Sequence, residues 1–591
     1  MGEGRTVPAL VVAGAMLAVI VAAVRIGAPL APAYAAPAAP IRSARLVVEA
    51  DALWATHAAS RTVTRLALPG GARTLQVDLR CEPGTLVYEA ARLYVTCVDT
   101  GEVIALDAVS GQTVARRTIG HGAFGIVSAG PLYVSLMHDD AVVSLDPRTL
   151  AELARVPAGR EPRGLALKDD RLYVVDLLDA SLRVLDPRSL APIGAIELGQ
   201  QAGVAESITP HPSADRVYVP HERLNVTNLA RQFDNTVFPV VDAVDTRDGA
   251  PVRRESLALD SVDTPVGMPL AVAVDASRSR LYVANAASDD VSVVDLANGI
   301  GAGHVVVGQR PRDLSLSPDA SRLYVLAQLS NDIAVIDTAT LTVVSTLALA
   351  DDPRPAAVRL GERLFTTSRP SSVARDHWIS CASCHLDGGF DGQTWLGTDD
   401  GPRNTPTLRG VQGTEPFHWS GTRENTQAFR KTFTGLMAGT GVTPEELDAL
   451  AAFVDSLRPI PSPLRAADGS LTASATSGAA VFRSAGCTSC HVPPLFTDRL
   501  LHDVGTGAPF HDRPTGAGKL PELRGGAFKT PPLRELWLTA PYLHDGRAPT
   551  LDRAVALHAP VTLSEADRAD LLAFLLELPL SDAELARLFP R

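Results

Sequence analysis

The 591-residue sequence predicts a multidomain chain, an all-β seven-bladed propeller followed by two smaller, mainly α-helical domains. Three observations predict it. A phrase of about 40 residues recurs from residue 53 onward. Two Cys-x-x-Cys-His motifs stand beyond residue 380. Apolar runs with helix start signals gather beyond residue 440.

Composition sets the frame. Hydrophobic residues make up 46% and charged residues 20%, so the chain can bury a core and global disorder is excluded. The length suggests two to four domains. With 54 Lys+Arg against 66 Asp+Glu, the formal net charge of −12 excludes a typical nucleic-acid binder, which needs a basic stripe. Six cysteines are too few for a disulfide scaffold, so their spacing carries the meaning.

Residues 1–35 read as an address. Thr6 to Val24 is free of charge, Arg25 closes it, and Ala33-Tyr34-Ala35 has the form of a cleavage site. The run is a cleaved export signal or an uncleaved membrane anchor, the one membrane tether expected. Both readings put the folded part in the periplasm or at the cell surface.

The repeat is a Leu-Tyr-Val-like triplet, a polar turn, and an apolar run ending in Asp. Clear copies run from Leu93 to Asp107, Leu132 to Asp146, Leu172 to Asp186, Leu281 to Asp295 and Leu323 to Asp337. Looser copies start at Leu53, Val217 and Leu364, giving spacings of 40, 39, 40, 45, 64, 42 and 41. Strand-like runs at that period predict four-stranded blades over residues 44–370. The start at Leu364 is expected to close the ring against the N-terminal strand. Tyr282-Val283-Ala284-Asn285 resembles the YVTN propeller repeats. The long fifth unit carries an insertion around 221–262, either a partner-binding loop or a plain surface loop. Cys81 and Cys97, one strand apart, are a disulfide pair or two buried thiols.

Cys381-Ala-Ser-Cys384-His385 and Cys487-Thr-Ser-Cys490-His491 are c-type haem attachment signatures. The thiols form thioethers with the haem, and the adjacent His becomes the proximal iron ligand. A zinc site or a redox dithiol would use the same residue types. Helices are expected from Thr443 to Leu457, from about Ala475 to Arg483, and after Ser564. The Pro-rich stretch from Arg458 links two c-type cytochrome domains, over 371–460 and 461–591.

From about Trp378 the chain resembles the di-haem cytochrome c peroxidase and MauG family. The phrases that carry this are Arg403-Asn-Thr-Pro-Thr-Leu, Phe417-His-Trp-Ser-Gly, Phe528-Lys-Thr-Pro-Pro-Leu-Arg and Thr539-Ala-Pro-Tyr-Leu-His-Asp-Gly. The resemblance implies two covalently bound haems c. It makes Trp419 the electron relay between them. Asn404, Thr539 and the carbonyl of Pro541 fall on the family's calcium site, so Ca²⁺ is expected there. His558 falls where the second haem's distal ligand stands, which would make that iron bis-His. His544 and His502 are weaker rivals. The family's distal Glu-Met pair is Leu436-Met437 here, so the acid that helps split a peroxide bond is missing. Gln427, His418 and Glu424 are the polar candidates to replace it. Met437 is an axial ligand of the first haem or a packing residue. The family's other distal histidine position falls at about Leu396. His57, His121, His138 and His304 are scattered in the propeller and form no ligand set.

The implied function is an exported di-haem oxidoreductase. Its first haem meets peroxide or a substrate and its second transfers electrons. The propeller docks a redox partner protein (a small cytochrome or cupredoxin) or a protein substrate. The competing functions are a non-catalytic electron carrier with both irons six-coordinate, and a binding propeller with a haem sensor.

Overall fold

Each repeated phrase folds as the second and third strands of a blade, because its polar turn lets two apolar runs pair antiparallel. Arg92–Cys97 pairs with Glu102–Asp107, and Leu132–Leu136 with Ala141–Leu145, with Leu132 opposite Leu145. The closing Asp builds the next turn. Asp107 Oδ1 accepts from the amides of Val109 and Ser110 at 3.2 and 2.8 Å. Asp146, Asp186 and Asp337 repeat this bonding. The spacing of Asp is thus a record of hairpin turns.

The structure, a computed structural model, describes residues 32–199, 201–262, 264–398, 400–507, 526–558 and 561–590. Residues 1–31, which hold most of the expected export signal, lie outside the described residues. No helix among the described residues is long and apolar enough to cross a membrane.

Seven antiparallel sheets follow in chain order, over residues 46–78, 83–118, 123–157, 162–197, 202–258, 269–306 and 311–348. Together they make the seven-bladed propeller. The inner strand Ala123–Ser128 is buried throughout, whereas the outer strand Pro192–Glu197 is mostly exposed. Apolar side chains fill the space between neighbouring blades. The ring closes by the same packing, with Leu46, Leu53 and Leu66 of the first blade against Tyr324, Ile333 and Leu347 of the last. Before the first blade the chain crosses the central channel. Ile41–Arg42 pairs with Pro162–Lys168 of the fourth blade, and Ala44 bridges to Leu86 of the second. Tyr34 donates to Asp170 at 3.0 Å. Cys81 and Cys97 form the disulfide, buried within the second blade.

The expected strand at Leu364 is absent. Leu364 and Phe365 lie in the helix Ala356–Thr366, with both side chains buried. This helix packs on Pro444–Ser456, opened by Thr443, whose hydroxyl accepts from the Glu446 amide. At their crossing a Cβ on Gly361 would lie 2.0 Å from the carbonyl of Ala449. The C-terminal region repeats the device. Ala473–Ser484 crosses Glu565–Leu576 at Gly478, where a Cβ would lie 1.9 Å from the carbonyl of Asp570. Each Cys-x-x-Cys-His motif follows the first helix of such a pair, as a single 3₁₀ turn at Cys381–Ser383 or Cys487–Ser489.

Candidate di-haem site

Both motifs open into one cavity of about 1100 Å³. Cys381, Cys384 and His385 line one end with Met437, and Cys487, Cys490, His491 and His558 line the other. Trp419, Asn404 and Arg403 line it as well.

The two motif histidines share one local geometry. The turn after each motif brings a carbonyl back under its ring. His385 Nδ1 meets the Gly389 oxygen at 3.0 Å, and His491 Nδ1 meets the Phe496 oxygen at 2.9 Å. That bond fixes the tautomer and leaves Nε2 as the electron-pair donor. Burial pushes both imidazoles down to about 4, so they are neutral and fit to bind a metal.

A haem fits at both motifs. The His558 ring faces His491 with 5.9 Å between centroids and a 70° interplanar angle. With metal–nitrogen bonds of about 2 Å, two opposed imidazoles stand about 6 Å apart. Burial lowers the His558 pKa. Arg534 supplies a second sign. Its guanidinium lines the cavity, is buried, and leaves Nε and Nη1 without partners among the described atoms. A buried cation of this kind suits an anionic group such as a haem propionate.

Trp419 donates Nε1–H to the Asn404 carbonyl at 2.8 Å and stands edge-on to His544 at 6.5 Å. His544 is buried and stacks on Phe528 at 3.8 Å, the packing expected of a structural residue. His502 lines the cavity and meets Asp498 at 2.7 Å. Met437 is buried beside the first motif. His418 also opens onto the cavity. Desolvation there, with Arg423 and Arg231 beside it, pushes it down to about 3.

Other expectations are corrected. Glu424 and Gln427 are exposed and do not line the cavity, because the turn before Arg430–Thr434 points them outward. Gln427 instead donates to Asp448 at 2.6 Å. The calcium expectation gains no support. Asn404 donates its side-chain NH₂ to the Pro541 carbonyl at 2.5 Å while its Oδ1 is buried without a partner among the described atoms, and the Thr539 backbone amide donates to the Glu535 carbonyl. The insertion is not a free loop. Val226 bonds to the Leu396 amide at 2.9 Å, Arg231 donates to the Gly397 carbonyl at 2.9 Å, and Arg231 lines the cavity. It covers the first motif's end.

Sequence reading missed the contacts the propeller makes here. Glu222, fully buried, accepts from Ser383 inside the first motif at 3.1 Å, and burial pushes its carboxyl up to about 8. Arg160 donates to the carbonyls of Leu538 and Ala540 at 3.2 and 2.8 Å, joining the propeller to the C-terminal region. Arg163, Arg310 and Arg312 grip Asp387, two residues past His385. A signal for that grip existed. Pro162-Arg163 and Pro311-Arg312 repeat one dipeptide where inner strands begin, against Pro269-Leu270 in the sixth blade.

The family model for di-haem cytochrome c peroxidases (CCP_MauG) matches residues 355–433. The methylamine utilization protein MauG of Methylorubrum extorquens is 31% identical over 280 residues, spanning 37% of this chain and 77% of that protein. Cytochrome-c peroxidase IdrP2 of Pseudomonas sp. strain SCT is 27% identical over 338 residues, 41% of this chain and 89% of that protein. Among solved structures, Kuenenia stuttgartiensis hydrazine synthase is similar at 17% identity with a TM-score of 0.46, covering 50% of this chain and 96% of that one. The fold and site therefore define a propeller joined to a c-type haem oxidoreductase. The chain belongs to the di-haem cytochrome c peroxidase and MauG family. Membership implies haem c as its cofactor and oxidoreductase chemistry as its activity.

Proposed function

We propose that the protein is an exported di-haem oxidoreductase that reduces peroxide or oxidises a substrate at its first motif and takes up or delivers electrons at its second. The observation that carries this is the single cavity holding both motifs with Trp419 in its lining. Haem, when bound, supplies one-electron redox chemistry at each end. Cys381, Cys384 and His385 would hold the first haem, and Cys487, Cys490 and His491 the second. His558, whose ring faces His491, would supply a second imidazole there, which suits that end to electron transfer. Trp419 lies on the route between the ends. The buried disulfide and the Ala-x-Ala segment support an oxidising, exported setting. A small basic redox protein would suit the net charge of −12.

One observation favours a second reading. Met437 is buried, lines the first end of the cavity, and could seal that iron as its sixth ligand. The protein would then be an electron carrier. Peroxide turnover separates the two. The haem-loaded, full-length protein is mixed with a reduced electron donor and hydrogen peroxide. Donor oxidation at two electrons per peroxide supports the oxidoreductase. No oxidation by the unmodified protein, with oxidation by Met437→Leu, makes it a sealed carrier.

A further inference from the structure

The inner strands of a propeller usually line an open or water-filled channel. Here charged side chains fill it. Arg45 precedes the first blade, Arg163 stands in the fourth, Glu206 in the fifth, and Arg310 and Arg312 at the start of the seventh. All five are buried. Glu206 accepts from Arg45 at 3.1 Å, Arg163 at 2.9 Å and Arg312 at 2.6 Å. Two acids join the cluster from outside the propeller: Glu362 accepts from Arg310 at 3.0 Å, and Asp387 is the other. Asp387 Oδ1 accepts from Arg310 at 2.8 Å and Arg312 at 3.0 Å. Its Oδ2 accepts from Arg312 at 2.8 Å and Arg163 at 3.3 Å. The Asp387 carbonyl accepts from Arg409 at 3.3 Å.

Asp387 belongs to the turn that shapes the proximal histidine. Residues 386–388 form one 3₁₀ turn, and Asp387 sits in the left-handed region at φ 52°. Aspartate enters that region more readily than most residues, and here the arginine contacts hold it there. His385 enters this turn, and Gly389, whose carbonyl holds His385 Nδ1, leaves it. The arginines thus fix the turn from one side and the imidazole is oriented from the other. A buried ionic cluster is an expensive way to join two domains when apolar packing would serve, so its charge calls for another role.

We propose that the propeller is part of the first haem centre. Through Asp387, its arginines orient His385 and set the reduction potential of the iron that His385 holds. This rests on the di-haem reading above and makes Asp387 a positioning residue. The sign follows from charge. The ferric state carries one more positive charge than the ferrous. Four arginines are matched by Glu161, Glu206, Glu362 and Asp387, so removing the Asp387 carboxylate leaves one positive charge uncompensated beside the His385 turn and favours the ferrous state. Removing an arginine charge does the opposite. The arginines are buried and Asp387 is partly buried against them, which limits screening by salt.

The test is a spectroelectrochemical titration of both haems in the full, haem-loaded chain. Asp387→Asn should raise the first haem's midpoint by at least tenfold in the ferrous/ferric equilibrium, about 59 mV for a one-electron couple. The second haem should not move. Arg312→Gln should lower the first midpoint. Arg310→Gln, which leaves the Arg312–Glu206 pair intact, serves as the milder arginine variant and should shift the same way. A purely structural contact would loosen one turn in every variant and move the potential in one direction or not at all. An unmoved first midpoint in Asp387→Asn, or equal-sign shifts in the aspartate and arginine variants, overturns the proposal. An unmodified chain whose mass shows no haem on Cys381 and Cys384 overturns the di-haem reading instead.

Discussion

The residues that matter most are matched pairs of ordinary groups. His385 and His491 each give Nδ1 to a carbonyl four or five residues on, and each is held neutral by burial. They differ in what stands opposite. His491 faces His558, whereas His385 shares its end with Met437 and His418. His558→Ala should therefore convert the second haem's low-spin ferric signal to high-spin while leaving the first unchanged, as read by electron paramagnetic resonance. Trp419→Phe removes one hydrogen bond to Asn404, a loss of about 1 kcal/mol. Haem content and melting temperature should hardly change, yet electron exchange between the haems in stopped-flow reduction should slow. Equal rates in variant and parent would remove Trp419 from the route. Cys381, Cys384, Cys487 and Cys490 were legible because thioether attachment needs a fixed local spacing. Glu424 and Gln427 were misread because nearness in sequence does not say which side of a turn faces a cavity.

At the scale of elements, two close contacts carry the helical pairs. Gly361 and Gly478 let backbones approach where a methyl group would strike a carbonyl. Either residue changed to Ala should cost about 1–3 kcal/mol by overpacking, seen as a lower denaturant midpoint for that haem region. The disulfide closes a loop of 16 residues within the second blade. Cys81→Ala with Cys97→Ala should lower stability by about 2–4 kcal/mol, with both haems retained in the mass spectrum. The strand repeats were plain in the sequence because every blade reuses the same turn chemistry. The helix Ala356–Thr366 was hidden because Leu364-Phe365 imitates the start of a strand phrase at the right spacing. Local likeness lost there to helix pairing across 88 residues, Gly361 against Ala449 and Phe365 against Phe453.

For the whole molecule, the propeller reaches both haem regions. Blade five covers the first motif with residues around Arg231, the channel arginines hold Asp387, and Arg160 meets the loop at Leu538 and Ala540. None of these contacts joins neighbours in sequence, so the repeated Pro-Arg at the inner strands marks the arginines but not the acid they hold. In the proposed function the two ends of one cavity would hold unlike irons. The most direct test is electron paramagnetic resonance on the oxidised, haem-loaded protein, with and without Met437→Leu. An open first iron and a bis-imidazole second one predict one high-spin ferric signal that peroxide alters and one low-spin signal that depends on His558. Two low-spin signals in the unmodified protein, one of them lost on removing Met437, would contradict it and make the protein an electron carrier.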